Sequence, residues 1–177
     1  MASNIEEFDE VLTPMECERL MAWAQPHLHK DFRTSIQDRR TGYKFWHDIQ
    51  ITYKLRKFLA DKIKTDMANV EGVEVVRYLS GCSYPTHSDG PWRTHTCLVY
   101  LNTYYEGGRT HFPIHNQTIV PKIGRGLIWQ NAVAGRPVGD NVHEVQKVDF
   151  GVKWVAVCWA WARPVDKAIQ SGVNPDG

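Results

Sequence analysis

The sequence predicts an α+β fold that is mainly β, a double-sheet jelly roll (double-stranded β-helix) with N-terminal supporting helices. Three observations predict it. From Val73 onward the chain breaks into short β-branched or aromatic runs: VEVVRYL, THTCLVYL, RTHF, QTIV, GLIWQN, NVHEVQ and VKWVAVCWAW. Turn signals such as Glu106-Gly107-Gly108 and Lys122-Ile123-Gly124 separate several of them. Helical signals occur only before that point. Trp is unusually common at 7, and many aromatics lie in the second half, where they suit pleated surfaces.

The elements follow in order. Residues 5–12, IEEFDEVL, form a short opening strand. Thr13 at N-cap, Pro14 at N1 and Glu16 at N3 then make a capping box with a preset first turn. That helix runs to about Ala24, ahead of Pro26, with Met15, Leu20, Met21 and Ala24 near helical spacing. Residues 27–48 are polar and irregular, a loop in which Arg33, Arg39 and Arg40 meet solvent. A second helix occupies about 49–69, with Ile49, Tyr53, Leu55, Leu59, Ile63 and Met67 on its apolar face. The strands begin at Val73, and residues 164–177 are a short tail. All 177 residues make one domain: helical support over 1–72, jelly-roll core over 73–163, tail over 164–177.

Composition excludes several classes. A net charge of +1 leaves no electrostatic footprint for nucleic acid or a membrane surface. The four cysteines, Cys17, Cys82, Cys97 and Cys158, are scattered, which argues for buried thiols rather than a zinc knuckle or a disulfide framework. MASNIEEFDEV has neither the basic nor the apolar region of a signal peptide, and no apolar run is long enough to span a membrane. A cytoplasmic, soluble protein is the expectation.

The chemistry concentrates at His87-Ser88-Asp89. In extended backbone His87 and Asp89 point to one side, because side chains alternate with period 2. A second imidazole, His143 in VHEV, lies on a later strand that a jelly roll can bring to the same mouth. Two His and one carboxylate on one face of a metal is the arrangement of non-haem Fe(II) oxygenases. His-x-Asp alone also fits a surface pair. His95 and His111 fit polar lining or core positions, and His27, His29, His47 and His115 lie in polar or supporting segments.

Several runs together resemble the prolyl 4-hydroxylase branch of the Fe(II)- and 2-oxoglutarate-dependent dioxygenases: RYLSGCSYPTHSD, CLVYLN, EGGRTHFP, PKIGRGLIW, and VHEV followed by GVKWVAVCWAW. The resemblance covers about residues 73–161, and EVLTPMECERLM resembles that family's opening loop and capped helix. It implies Fe(II) held by His87, Asp89 and His143, with 2-oxoglutarate and O2 at the open positions and ascorbate as a supporting reductant. It implies that Lys153, ten residues after His143, pairs the far carboxylate of 2-oxoglutarate. Without the resemblance, Lys153 would read as a solvent-facing strand lysine. Tyr78, Tyr100, Thr110 and Trp159 match positions around the co-substrate, though each also fits plain core.

The implied reaction is hydroxylation of an unactivated C–H bond, with release of succinate and CO2 and no separate protein acid or base. The implied substrate is a peptidyl proline, hydroxylated at C4. Tyr84, Trp92 and Arg93 flank the metal motif, and Tyr43 and Trp46 would suit a polyproline II peptide. A free amino acid or other small molecule is the alternative substrate, and a non-catalytic jelly-roll binding module the alternative class.

Overall fold

The computed structural model describes residues 4–28, 40–45 and 49–165. The strands and helices in chain order are β1 (Glu6–Phe8), α1 (Pro14–Ala24), β2 (Arg40–Phe45), α2 (Gln50–Ile63), β3 (Val73–Leu79), β4 (Tyr84–His87), β5 (Arg93–Tyr100), β6 (Tyr105–Gly107), β7 (Thr110–Phe112), β8 (Gln117–Thr118), β9 (Gly126–Gln130), β10 (Ala132–Val133), β11 (Arg136–Pro137), β12 (His143–Val145) and β13 (Val148–Trp161).

The helices start as their sequences dictate. The Thr13 hydroxyl accepts the Glu16 N–H at 3.2 Å, and the Glu16 carboxylate accepts the Thr13 N–H at 2.8 Å. α1 buries Cys17, Leu20 and Ala24. Lys54 of α2 also donates to Glu16 at 2.7 Å, tying the two helices together. α2 is shorter than the sequence suggests. Lys64 turns left-handed (φ 55°), the Thr65 N–H closes on the Ala60 carbonyl, and Asp66 caps a separate short turn over Met67–Asn69. Its buried stripe is Ile51, Leu55 and Leu59, whereas Tyr53 lies off that stripe and is half exposed.

The strands form two antiparallel sheets. The larger has the order β1-β9-β5-β13-β3-β2, with β6 pairing the start of β13. The smaller has the order β4-β12-β7-β8, and β10 and β11 form a separate hairpin. One core lies between the sheets and includes Val76, Leu98, Phe112, Trp129, Val145, Val155 and Val157. A second lies between the large sheet and the helices and includes Leu20, Leu55, Leu59, Val75, Cys97, Trp154, Ala156 and Cys158. Both faces of the large sheet are therefore buried, which is why β13 reads as a continuous apolar run. Its alternation still decides function. Trp154, Ala156 and Cys158 face the helices, while Lys153, Val155, Val157 and Trp159 line the cavity between the sheets.

Two segments differ from expectation. Residues 40–45 are not loop but an edge strand, antiparallel to β3 from Arg40 opposite Tyr78 to Phe45 opposite Val73. The inward positions of β2 are Arg40, Gly42 and Lys44, so the hydrophobic pattern that marks a strand is missing on that face. Tyr105–Gly107, which carries part of the Glu106-Gly107-Gly108 turn signal, pairs β13 as a short strand before the chain turns. The opening strand is trimmed to Glu6–Phe8, after which Val11 and Leu12 donate their N–H groups to the Gly124 carbonyl. The expected tail is described only to Val165. Among the described residues no helix is long and apolar enough to cross a membrane.

Candidate active site

The small sheet assembles the proposed ligands. β4 and β12 are antiparallel neighbours with His143 directly opposite His87, and Asp89 follows two residues after His87. One ligand atom from each of His87, Asp89 and His143 lies within 4.8 Å of the others. The His87 Nε2 stands 3.6 Å from Asp89 Oδ1, and the His143 Nε2 stands 3.9 Å from Asp89 Oδ2. Each imidazole spends its other nitrogen on the backbone. His87 Nδ1 is 2.9 Å from the Pro85 carbonyl, and His143 Nδ1 is 3.2 Å from the Asn141 carbonyl. A carbonyl only accepts, so Nδ1 carries the proton and Nε2 is left as the lone-pair ligand.

Asp89 is aimed by a short relay. The Asn131 amide donates to the Thr96 hydroxyl at 2.8 Å, and that hydroxyl donates to Asp89 Oδ2. Burial opposes the charge on Asp89, but His143, His87 and Thr96 outweigh it and hold the carboxyl well below the usual range. Burial lowers the His143 pKa against the pull of Asp89, which favours the neutral imidazole that a metal needs. Two imidazoles and a carboxylate converging on one point, with a cavity open before them, fit a ferrous ion with free coordination positions.

That cavity, of about 490 Å³, runs between the sheets. Lys153 lines it and is completely buried. Its Nζ donates to the Gly108 carbonyl at 2.7 Å and lies 5.5 Å from the Tyr78 ring and 5.6 Å from the Tyr100 ring. Among the described residues no carboxylate pairs it, and burial pushes its pKa down to about 7. An ammonium buried without a counter-ion, facing a cavity, suits an anionic ligand. Tyr78 and Thr110 also line the cavity. Tyr100 stands behind that wall, its hydroxyl donating to Thr110 Oγ1 at 2.8 Å. Trp159 lines it with the Arg93 guanidinium 4.0 Å and the Lys44 ammonium 5.2 Å from its ring centre.

The remaining expected contacts divide. Tyr84 lines the cavity edge-on to His87, at 4.5 Å between ring centres. Arg93 lines it while paired with buried Glu71 at 2.7 Å. Trp92 is 54% exposed and lies outside the lining. Tyr43 does not reach the cavity either. The alternation of β2 turns it toward the helices, where it stacks on His27 at 4.3 Å. Trp46, His29, His47, Arg33 and Arg39 lie outside the described residues. His95, His111 and His115 take no part in the cluster: they contact Thr94, Thr118 and Asn141 respectively.

The sequence reading missed four contributors. Arg40 and Lys44 line the cavity from β2, Glu71 holds Lys44 and Arg93, and Thr96 orients Asp89. Only Thr96 left a local signal, its period-2 spacing from the inward-facing Leu98 and Tyr100.

Comparison with known proteins agrees with this geometry. Residues 73–161 match the family model of the 2OG-Fe(II) oxygenase superfamily. Prolyl 4-hydroxylase 1 of Arabidopsis thaliana is 27% identical over 189 residues, covering 85% of this chain and 66% of that protein. The crystal structure of the viral collagen prolyl hydroxylase from Paramecium bursaria Chlorella virus-1 superposes with a TM-score of 0.79 at 24% identity, covering 92% of this chain and 97% of the other. A Pseudomonas putida prolyl-4-hydroxylase superposes with a TM-score of 0.66 at 15% identity, covering 92% and 94%. The two sheets are thus the double-stranded β-helix of these enzymes, and His87, Asp89 and His143 are the residues that could hold a metal ion in it. The chain belongs to the 2OG-Fe(II) oxygenase superfamily, as a prolyl 4-hydroxylase-like enzyme that uses Fe(II) and 2-oxoglutarate.

Proposed function

We propose that the protein hydroxylates C4 of a proline within a peptide, converting 2-oxoglutarate and O2 to succinate and CO2. One oxygen atom of O2 enters the succinate and the other the new hydroxyl, so the reaction balances without another reductant. The observation that carries the reading is a single cavity holding three things: the candidate triad, the fully buried ammonium of Lys153, which no carboxylate pairs among the described residues, and a rim of Tyr84, Trp159 and Arg93. Relatives named as prolyl 4-hydroxylases support the choice of proline.

The bound iron supplies the oxidising power that breaks the C–H bond. The chain's own residues bind, orient and shield. His87, Asp89 and His143 would hold the iron, and all three line the cavity. Lys153 takes the far carboxylate of 2-oxoglutarate by charge-assisted hydrogen bonding, and Tyr78 adds a second donor. Thr110 sits beside that end and fixes Tyr100. Leu98, Val155 and Val157 exclude water along the inner wall, which protects reactive oxygen from side reactions. Tyr84 and Trp159 add aromatic surface for a pyrrolidine ring beside the cations that pack on them, Arg40 on Tyr84 and Arg93 and Lys44 on Trp159. Arg93, held by Glu71, donates to peptide carbonyls, the only backbone hydrogen-bonding groups a proline carries.

The test is turnover of a proline-rich peptide library with Fe(II) and 2-oxoglutarate, followed by succinate assay and mass spectrometry. The expected product gains one oxygen at proline, and succinate forms in step with it. Hydroxylation of free amino acids with no peptide product would replace the peptide reading. Metal binding without any 2-oxoglutarate turnover would favour a binding module.

A further inference from the structure

Three inward side chains stand directly opposite one another on three adjacent strands: Arg40 on β2, Tyr78 on β3 and Lys153 on β13. All three line the cavity. The Arg40 Nε donates to the Tyr78 hydroxyl oxygen at 3.2 Å, and its Nη2 lies 3.4 Å from Glu74 Oε1. The guanidinium also sits 5.9 Å from the Tyr78 ring centre and 5.2 Å from that of Tyr84. Gly42 makes room for this arrangement, because a Cβ there would come 2.3 Å from Glu74 Oε1.

Hydrogen-bond polarity gives the row a direction. A phenol has one O–H to donate and lone pairs to accept with. Arg40 can only donate, so it occupies the accepting side of the Tyr78 oxygen. Among the described residues no acceptor takes the Tyr78 hydrogen, and burial favours keeping the phenol protonated. Lys153 spends one of its N–H groups on the Gly108 carbonyl and keeps two. The row therefore presents unspent donors from Tyr78 and Lys153 and no competing acceptor from Arg40. A cation on the phenol oxygen also polarises its O–H and makes it a stronger donor.

We propose that Arg40 is a positioning residue for co-substrate binding: it orients the Tyr78 hydroxyl so that its hydrogen points at the far carboxylate of 2-oxoglutarate beside Lys153. The edge strand β2, beyond the residues of the triad, is then a working part of the co-substrate site. The inference rests on the placement of that carboxylate between Lys153 and Tyr78.

The test is binding without turnover. Fe(II)-loaded protein is titrated anaerobically with 2-oxoglutarate by calorimetry and by the charge-transfer absorption of the chelated iron. Arg40→Met should weaken binding about tenfold, the worth of one charge-assisted hydrogen bond. Arg40→Lys keeps a cationic donor near the same place and should restore most of the affinity. Tyr78→Phe should weaken binding, and adding Arg40→Met to it should cost nothing more, since the arginine acts through the phenol. The Arg40→Met deficit should vanish with 2-oxobutyrate, a keto acid that lacks the far carboxylate. Arg40 lies on an edge strand with its side chain 28% exposed, and Arg40→Gln serves as a second uncharged variant with the same expectation. Additive losses in the double variant overturn the inference, as does a rise in peptide KM with unchanged 2-oxoglutarate affinity. If the unaltered protein binds no 2-oxoglutarate, the co-substrate reading itself fails. If it binds and Arg40→Met binds equally well, only the role of Arg40 fails.

Discussion

Replacing Lys153 by Met should make the ligand-free protein more stable and nearly abolish its grip on 2-oxoglutarate. Lys153 is fully buried with no carboxylate partner among the described residues, and its pKa falls from 10.5 to about 7. A change of that size penalises the charged form by about 5 kcal/mol. The sign follows from linkage. The folded pKa lies below the unfolded one, so the penalty is complete below about pH 7 and fades as pH rises toward 10.5. Methionine keeps an unbranched chain in the same slot and carries no charge to bury. The variant should therefore melt higher than the parent near pH 6.5, with the gap closing toward pH 10. With ligand the order reverses, because the far carboxylate then enters a buried site with its cation removed. Breaking a buried pair in this way costs about 3–5 kcal/mol, or about 150- to 5,000-fold in Kd. Near pH 8 the free ammonium has mostly lost its proton and must regain it to pair, so binding to the parent should take up protons. Anaerobic calorimetry in buffers of different ionisation heat measures that uptake, and thermal melts with and without 2-oxoglutarate measure the rest. A variant that melts lower than the parent near pH 6.5 and still binds 2-oxoglutarate normally would refute the assignment of Lys153.

Other outcomes follow from the same geometry. His143→Ala should lose tight Fe(II) binding and all coupled succinate production; normal turnover in that variant would remove His143 from the triad. Thr96→Val deletes the hydroxyl that links Asn131 to Asp89 and should weaken Fe(II) about 10- to 100-fold in a metal titration. An unchanged affinity would show that Asp89 is oriented without Thr96. Gly124→Ala places a Cβ 1.9 Å from the Leu12 carbonyl oxygen at a φ of +75°. Because the opposing atom is backbone, urea unfolding should show a loss of about 3 kcal/mol, and a loss near zero would mean that this turn relaxes freely.

Much of the large sheet is legible in the sequence for a specific reason. β3, β5, β9 and β13 are buried on both faces or alternate cleanly, so their apolar runs mark them. β2 is not legible, because function fills its inner face with Arg40, Gly42 and Lys44. For the same reason Tyr43 is attractive as a peptide contact in the sequence and is packing in the fold: a strand's face depends on register, which the β2–β3 pairing sets. The end of α2 is set by a left-handed Lys64 where no glycine signals a stop.

The sequence by itself paired two candidate ligands. His87 and Asp89 are two residues apart, a spacing that extended backbone turns to one side, although β4 itself ends at His87. It also determined the capping box of α1 and the change from helices to strands at Val73, all of which depend on neighbours a few residues away. His143 stood out among 8 histidines by its place on a late strand of the expected jelly roll, whereas only the resemblance singled out Lys153 among the lysines. Tertiary structure decided the rest. Pairing of β12 with β4 brings His143 against His87, and pairing of β13 with β3 and β2 sets Lys153, Tyr78 and Arg40 in one row. The complete burial of Lys153 beside the cavity exists only once the two sheets close on each other.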